Sequence, residues 1–389
     1  MRPSATAAVS DRARSLAQGG KSIINLGEGE LDFDTPDHIK DFAIAAIRRG
    51  ETKYTAVAGT AAIKQAIIEK FRTENALSFA ADEVIAGTGA KQLIFNALLA
   101  TVSSGDEVIV PAPYWVSYPD MVGLADGTAI TVACEENHGW KLRPEMLAAA
   151  ITPATKWLLL NSPGNPSGAM YRREELQALA EVLLRHEQVL VLSDDIYEHM
   201  RFEGEFHTLA AVEPGLRERI LTVNGVSKAY SMTGWRIGYA GGPAWLIGAM
   251  QALQSQSTSN PSSISQAAAV GALAGGTSFL REWVQVLRDR RDRAARILEG
   301  APGLRCLKPE GAFYLFVNCA GLIGKHMRHG ATITSDIDLA TYLLEEAGVA
   351  VVPGSAFGTP SYFRLAFGVE TQQLELACEK IVETCAGLK

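Results

Sequence analysis

Lys228 stands in VNGVSKAYSMTGWRIGY, after an apolar run and between small residues, where a surface lysine would find acidic neighbours. An amine held against a partly apolar pocket loses pKa and becomes a nucleophile near neutral pH. Arg236, within GWRIGY, can reach back to a phosphate with its planar fork. Arg364, in YFRLAFG, lies inside a second apolar run, and a buried cation there needs an anion. Asp194 and Asp195 end a third run, VLVLSDD, with Tyr197 just beyond.

Other candidates are weaker one by one. Gly87-Thr88-Gly89-Ala90-Lys91 is a glycine turn feeding a helical pattern, and free N–H groups at a helix start favour phosphate. It is no Walker A, because no glycine precedes the lysine and no Ser or Thr follows it. Nor is it GxGxxG, since Gln92 takes the third glycine's place. On its own it reads as an ordinary strand-to-helix turn. Trp115, beside Tyr114 and two prolines, fits core packing, Asn165 fits an Asx turn before Pro166, and Asp194 fits a helix cap.

The elements that must position these groups alternate. AAIKQAIIEKFRTEN, LIFNALLATV and EELQALAEVLLRHE carry helical patterns. DEVIAGTG, DEVIV (stopped by Pro111), KWLLLN, VLVLSDD, ILTVNG and RIGYAGG read as strands. Apolar strands separated by helices imply right-handed crossovers and a mostly parallel sheet covered on both faces. Sites in such sheets gather at the carboxyl ends of strands, and five consecutive strand ends here carry polar, aromatic or glycine-rich groups. That convergence outweighs any single motif.

After residue 278 the character changes. SFLREWVQVLRDRRDRAARILEG is a long amphipathic helix whose run Arg288 to Arg293 is expected to be a solvated face, being interrupted by two aspartates. AFYLFV, VAVVPG and YFRLAF follow as strands, with DIDLATYLLEEAG and a last segment as helices, implying a smaller unit packed on the first. The expected division is an N-terminal arm at 1–14, small-domain residues 15–45, a large domain at 46–284 and a C-terminal small domain at 285–389.

Composition bounds the function. The 389 residues are 47% hydrophobic and 20% charged, a globular balance, and 36 basic against 43 acidic side chains give a net charge of -7. No basic face for nucleic acid or anionic membrane is expected, nor a membrane span, and the start resembles neither signal nor anchor. Cys134, Cys306, Cys319, Cys378 and Cys385 are odd in number and scattered, so neither disulfides nor a metal site are expected and a reducing cytoplasm fits.

The series RPSATAAVSDRA, LGEGELDFDTP, KYTAVAGTAAIKQAI, GAKQLIFN, APYWVSYPDM, NSPGNPSGAMY, SDDIYEHM, VNGVSKAYSMTGWRIGYAGGP, EGAFYLFV, VAVVPGSAFG and FRLAFG spans the chain. In order and spacing it resembles the fold-type I pyridoxal-phosphate aminotransferases, in the branch holding bacterial aspartate aminotransferases. The resemblance implies an α/β fold with a mostly parallel sheet in a helix-covered large domain and a smaller α+β domain. It implies pyridoxal 5'-phosphate as cofactor and no metal. Lys228 would carry the cofactor as a Schiff base and shuttle the proton. Asp194 would pair with the ring nitrogen, Asn165 and Tyr197 with the phenolic oxygen, and Trp115 would stack on the ring. Gly89, Ala90, Lys91 and Arg236 would hold the phosphate, joined by Tyr54 from the neighbouring subunit of a homodimer with shared sites. Arg364, a Gly29 backbone N–H and Asn165 would take the substrate carboxylate. Lys91 is also the candidate cation for a second carboxylate, because Ser257-Thr258-Ser259-Asn260-Pro261 supplies none.

The expected activity is amino transfer between L-aspartate or glutamate and a 2-oxo acid such as 2-oxoglutarate or oxaloacetate, with aromatic amino acids or prephenate as the alternative. A non-catalytic effector sensor on the same fold would carry an N-terminal helix-turn-helix, for which the chain shows no room. A nicotinamide dehydrogenase lacks its GxGxxG here.

Overall fold

A computed structural model describes residues 4–328 and 330–389; Arg2 and Pro3 of the opening stretch, and the first three residues of the 1–14 arm, lie outside it. In chain order the first strands are β1 (Ile24–Asn25), β2 (Val84–Gly87), β3 (Glu107–Ala112), β4 (Thr128–Ala133), β5 (Thr155–Asn161), β6 (Leu190–Asp194), β7 (Ile220–Gly225) and β8 (Gly238–Gly241). Strands β2 to β8 form one sheet in the order β2-β8-β7-β6-β5-β3-β4. Within it β4, β3, β5, β6 and β7 run parallel, while β8 runs antiparallel to both β7 and β2.

The strands are apolar on both sides because both faces are covered. Along β5, Trp157 and Leu159 join a core with Leu93, Ile94 and Leu98 of the helix Ala90–Thr101. The alternate residues Leu158 and Leu160 pack against Leu176, Leu179 and Leu183 of the helix Arg173–Leu184. A period of two thus serves two layers of helices. Strand β3 does not stop at Pro111 as expected, but continues to Ala112. Pro111 is tolerated because β3 has parted from β5 after Ile109 and stays paired only with β4 there.

The remaining strands are β9 (Arg305–Cys306), β10 (Tyr314–Asn318), β11 (Val349–Ala350), β12 (Val352–Pro353) and β13 (Tyr362–Ala366). Four make an antiparallel sheet, β12-β13-β10-β9, while β1 pairs in parallel with β11, which returns the start of the chain to its C-terminal third. The segment read as an arm is helical from Ala5 to Gln18, and Ala13, Val9 and Leu16 pack on Leu344 and Ala350.

The Arg288 to Arg293 run corrects the sequence reading. Arg290 and Arg291 in the helix Leu280–Leu298 are only 5% and 4% exposed. Arg290 grips both oxygens of Asp32 at 2.7 Å, and Arg291 donates to the Pro309 carbonyl at 2.9 Å and lies over Phe202. Arginine stems cover apolar surface while their heads find acceptors, so charge in sequence did not mean exposure. Arg293, pairing with Glu375 on the surface, and the exposed Asp289 fit the solvated reading.

Candidate active site

The carboxyl ends of β5, β6 and β7 and the start of the helix after β2 open onto one cavity of about 630 Å³. Ala90, Lys91, Trp115, Asn165, Asp194, Tyr197, Lys228, Arg236, Arg364 and Gly29, all singled out from sequence, line it.

One end is built for an anion. Gly89 turns the chain with φ 86° into the helix Ala90–Thr101, leaving the first N–H groups unpaired within the helix. A Cβ on Gly89 would meet Arg236 Nη2 at 2.5 Å, and one on Gly238 would meet the Ala90 nitrogen at 2.2 Å. The backbone and the guanidinium close in on a cradle that only glycine allows. Arg236 itself sits at φ 56°, a strained conformation for a side-chain-bearing residue, and donates to the Thr233 carbonyl at 2.9 Å. Lys91 Nζ lies 4.8 Å from the centre of the Trp115 ring, and burial with the nearby Arg236 charge lowers its pKa.

At the opposite end Arg364 enters from β13 and is 2% exposed. Its Nη1 donates to Asn165 Oδ1 at 3.0 Å and its Nη2 to the Gly27 carbonyl, while Nε has no hydrogen-bond partner among the described residues. The guanidinium lies over Tyr314 at 4.5 Å and Phe357 at 5.1 Å. No carboxylate among the described residues neutralises it, so its cavity-facing edge suits an anionic ligand.

Between the ends lies Lys228, whose Nζ donates to the Gly29 carbonyl at 2.5 Å. Burial, aided by the charges of Arg364 and Arg236, brings its pKa down to about 8 against the pull of Glu30 and Asp194. Asp194 is 5% exposed and accepts from Tyr118 at 2.6 Å and weakly from the Ile196 N–H at 3.4 Å. Burial raises it to about 6 despite these donors, so a cationic group in the cavity would be held there by restoring its charge. Asn161 locks the surroundings, donating to the Asp194 carbonyl and accepting from the Asn165 N–H, each at 2.8 Å.

Sequence reasoning missed several contributors. Tyr314 places its hydroxyl 2.7 Å from that of Tyr197 and lines the cavity, but an aromatic in AFYLFV reads as core. Tyr118 carried no signal of its partnership with Asp194. Arg14 and Ser10 reach the cavity from the N-terminal helix, and Arg14 pairs with Glu28 at 2.9 Å. Tyr54 stands apart: it is 92% exposed and lines no part of this cavity.

Comparison with known proteins agrees with this geometry. The sequence model for aminotransferase class I and II matches residues 21–381. The chain is 55% identical over 389 residues to the aspartate/prephenate aminotransferase of Cereibacter sphaeroides, covering 100% of this chain and 97% of that one. It is 53% identical over 378 residues to an aspartate aminotransferase of Rhizobium meliloti, covering 97% and 92%. Among solved structures, the aspartate aminotransferase from Rhizobium meliloti superposes with TM-score 0.97 at 52% identity, covering 100% of this chain and 98% of that chain. That from Thermus thermophilus with maleate gives 0.91 at 41% identity, covering 99% and 97%. Among the described residues no helix is long and apolar enough to cross a membrane.

Proposed function

The chain belongs to the aminotransferase class I and II family, and from that premise we propose that it uses pyridoxal 5'-phosphate to transfer the amino group of L-aspartate or L-glutamate to a 2-oxo acid, in two half-reactions. The observation that carries this reading is a buried amine, Lys228, brought down to about 8 between a carboxylate and an arginine that both face one cavity.

The residues fit the cofactor. The Gly89–Lys91 helix start and Arg236 suit its phosphate, Trp115 a ring face, Asp194 a protonated ring nitrogen, and Asn165 and Tyr197 a phenolic oxygen. When bound, the group supplies an electron sink for negative charge at the substrate α-carbon. Asp194, once paired with a cation, stays ionised and keeps that ring nitrogen protonated. Arg364 presents two N–H groups to the α-carboxylate, and Asn165 and Gly27, which now accept from it, fix the plane of the fork. Lys228, unprotonated in a useful fraction near neutral pH, takes the α-proton and returns it.

Lys91, exposed but lining the cavity with its ammonium over the Trp115 ring, is the cation for the side-chain carboxylate of aspartate or glutamate. A single flexible ammonium discriminates less sharply than an arginine fork, which supports a second acceptor of the prephenate type, as the name of the 55% identical relative suggests. The same proposal includes a homodimer, with Tyr54 serving the partner's phosphate site; an exposed tyrosine with no role in its own cavity supports this. It also includes the division at 46–284 and a cytoplasmic setting. The test is a visible absorbance band in the cofactor-loaded protein that bleaches with L-aspartate and returns with 2-oxoglutarate.

A further inference from the structure

Behind the cavity, and contributing nothing to its wall, lies a buried ionic cluster. Lys70 and Asn75 come from the last turns of the helix Ala61–Asn75, Glu198 from the turn after β6, and Asn224 from β7. They are 2%, 7%, 3% and 2% exposed. Glu198 accepts from Lys70 Nζ and, at 2.8 Å, from Asn224 Nδ2 on one oxygen, and from Asn75 Nδ2 at 2.6 Å on the other. Lys70 also donates to Asn75 Oδ1 at 2.6 Å. His199 lies at the rim, 2.8 Å from Glu74 and 3.6 Å from Glu198. Burial alone would raise the Glu198 carboxyl, but the charges of Lys70 and His199 and the hydrogen bonds from Lys70 and Asn75 hold it below the usual carboxylate range.

The position of this anion in the chain is informative. Glu198 follows Tyr197 directly and stands four residues after Asp194, while Lys228 stands four residues after Asn224. The backbone joins the two segments through the Asp195 N–H and the Val223 carbonyl at 2.9 Å. Beyond Asp195 the turn's backbone bonds among the described residues are internal or go to the 310–312 segment, as in Glu198 N–H to the Asp195 carbonyl and Ala312 N–H to the Met200 carbonyl. The Asn224–Glu198 bond is therefore a side-chain tie between the strand leading to the lysine and the turn carrying Tyr197. A buried ion pair adds little net stability over an apolar pair of the same volume, but its bonds are directional and fix geometry.

We propose that Glu198, held by Lys70 and Asn75 and bonded to Asn224, is a positioning residue for amino transfer: it sets the turn bearing Tyr197, just beyond Asp194 at the end of β6, against the strand that delivers Lys228. This rests on the functional reading above. Reacting groups must be held to within about 0.5 Å, and a misplacement of about 1 Å lowers rates on the order of 100-fold.

The experiment uses cofactor-loaded protein in three variants. Lys70→Met/Glu198→Met replaces the pair by apolar side chains of similar length, Asn224→Ala cuts only the tie to the lysine strand, and Lys70→Arg preserves the pair. The expected result is that the first two keep the parent's melting temperature to within a few degrees but change the induced circular dichroism of the bound cofactor. Their kcat should fall about 10- to 100-fold with KM for the amino donor little altered. Lys70→Arg should recover most of the loss. Parent-like kcat and dichroism in Asn224→Ala would overturn the proposal, as would a double variant that loses only stability. Should the parent itself show no cofactor band, the functional reading fails instead, and the two failures are told apart.

Discussion

Asp194 and Asp195 are adjacent in the chain and face opposite surroundings: Asp194 lines the cavity and accepts from Tyr118 at 2.6 Å, while Asp195 turns away to accept from Ser193 at 2.7 Å. A strand end alternates sides residue by residue, so only one of the pair can meet a ligand. Asp194→Ala should then lower kcat/KM by roughly 3 kcal/mol, since a charge pair is lost in a dry site. Asp195→Asn should be read mainly in the melting temperature. Steady-state kinetics and thermal denaturation of both variants check this, and a crippling Asp195→Asn beside a mild Asp194→Ala would reverse the assignment.

Lys91→Ala should weaken aspartate and glutamate selectively, by about 1.5–3 kcal/mol for a lost charge-assisted contact. Phenylalanine presents no second carboxylate and should be nearly unaffected. Half-reaction rates with the three donors measure the difference. Equal losses would place the Lys91 side chain with the phosphate.

The pH dependence follows from Lys228. Its pKa is lowered to about 8 by burial, so below that pH the amine is mostly protonated and has no lone pair to offer. Capture of pyridoxal phosphate by the cofactor-free protein should rise about tenfold per pH unit up to that value and then level. A lysine in water would keep gaining up to about pH 10.4. Stopped-flow absorbance across this range distinguishes the two.

Tyr54, 92% exposed in its own chain, is expected to act in the partner's site. Mixing Lys228→Ala subunits with Tyr54→Phe subunits should generate hybrid dimers in which one site carries neither lesion. Activity of the mixture should exceed that of either parent variant once subunit exchange is complete. No recovery after demonstrated exchange would mean each site is built from one chain.

The legible part of this site was its cations and strand ends. A lysine or arginine in an apolar run has no inexpensive structural explanation, which is why Lys228 and Arg364 stood out in sequence and why both are found in one cavity. Alternating apolar runs likewise carried the layered sheet, because strands buried on both faces must be apolar throughout. What stayed hidden depended on distant partners. Arg290 looked solvated because Asp32, its acceptor, lies 258 residues away. Tyr314 looked like core because its bond to Tyr197 spans 117 residues. Nothing in SDDIYEHM or in AAIKQAIIEKFRTEN says that Glu198 and Lys70 meet inside the protein.

The central claim is that Lys228 is the amine that carries the cofactor. Borohydride reduction of the protein loaded with pyridoxal phosphate, followed by proteolysis and mass spectrometry, tests it directly. The account predicts a single pyridoxyl-bearing peptide containing Lys228, with no adduct and no turnover in a folded Lys228→Ala variant. Label on another lysine in the parent protein, or turnover within about tenfold of the parent in Lys228→Ala, would contradict it.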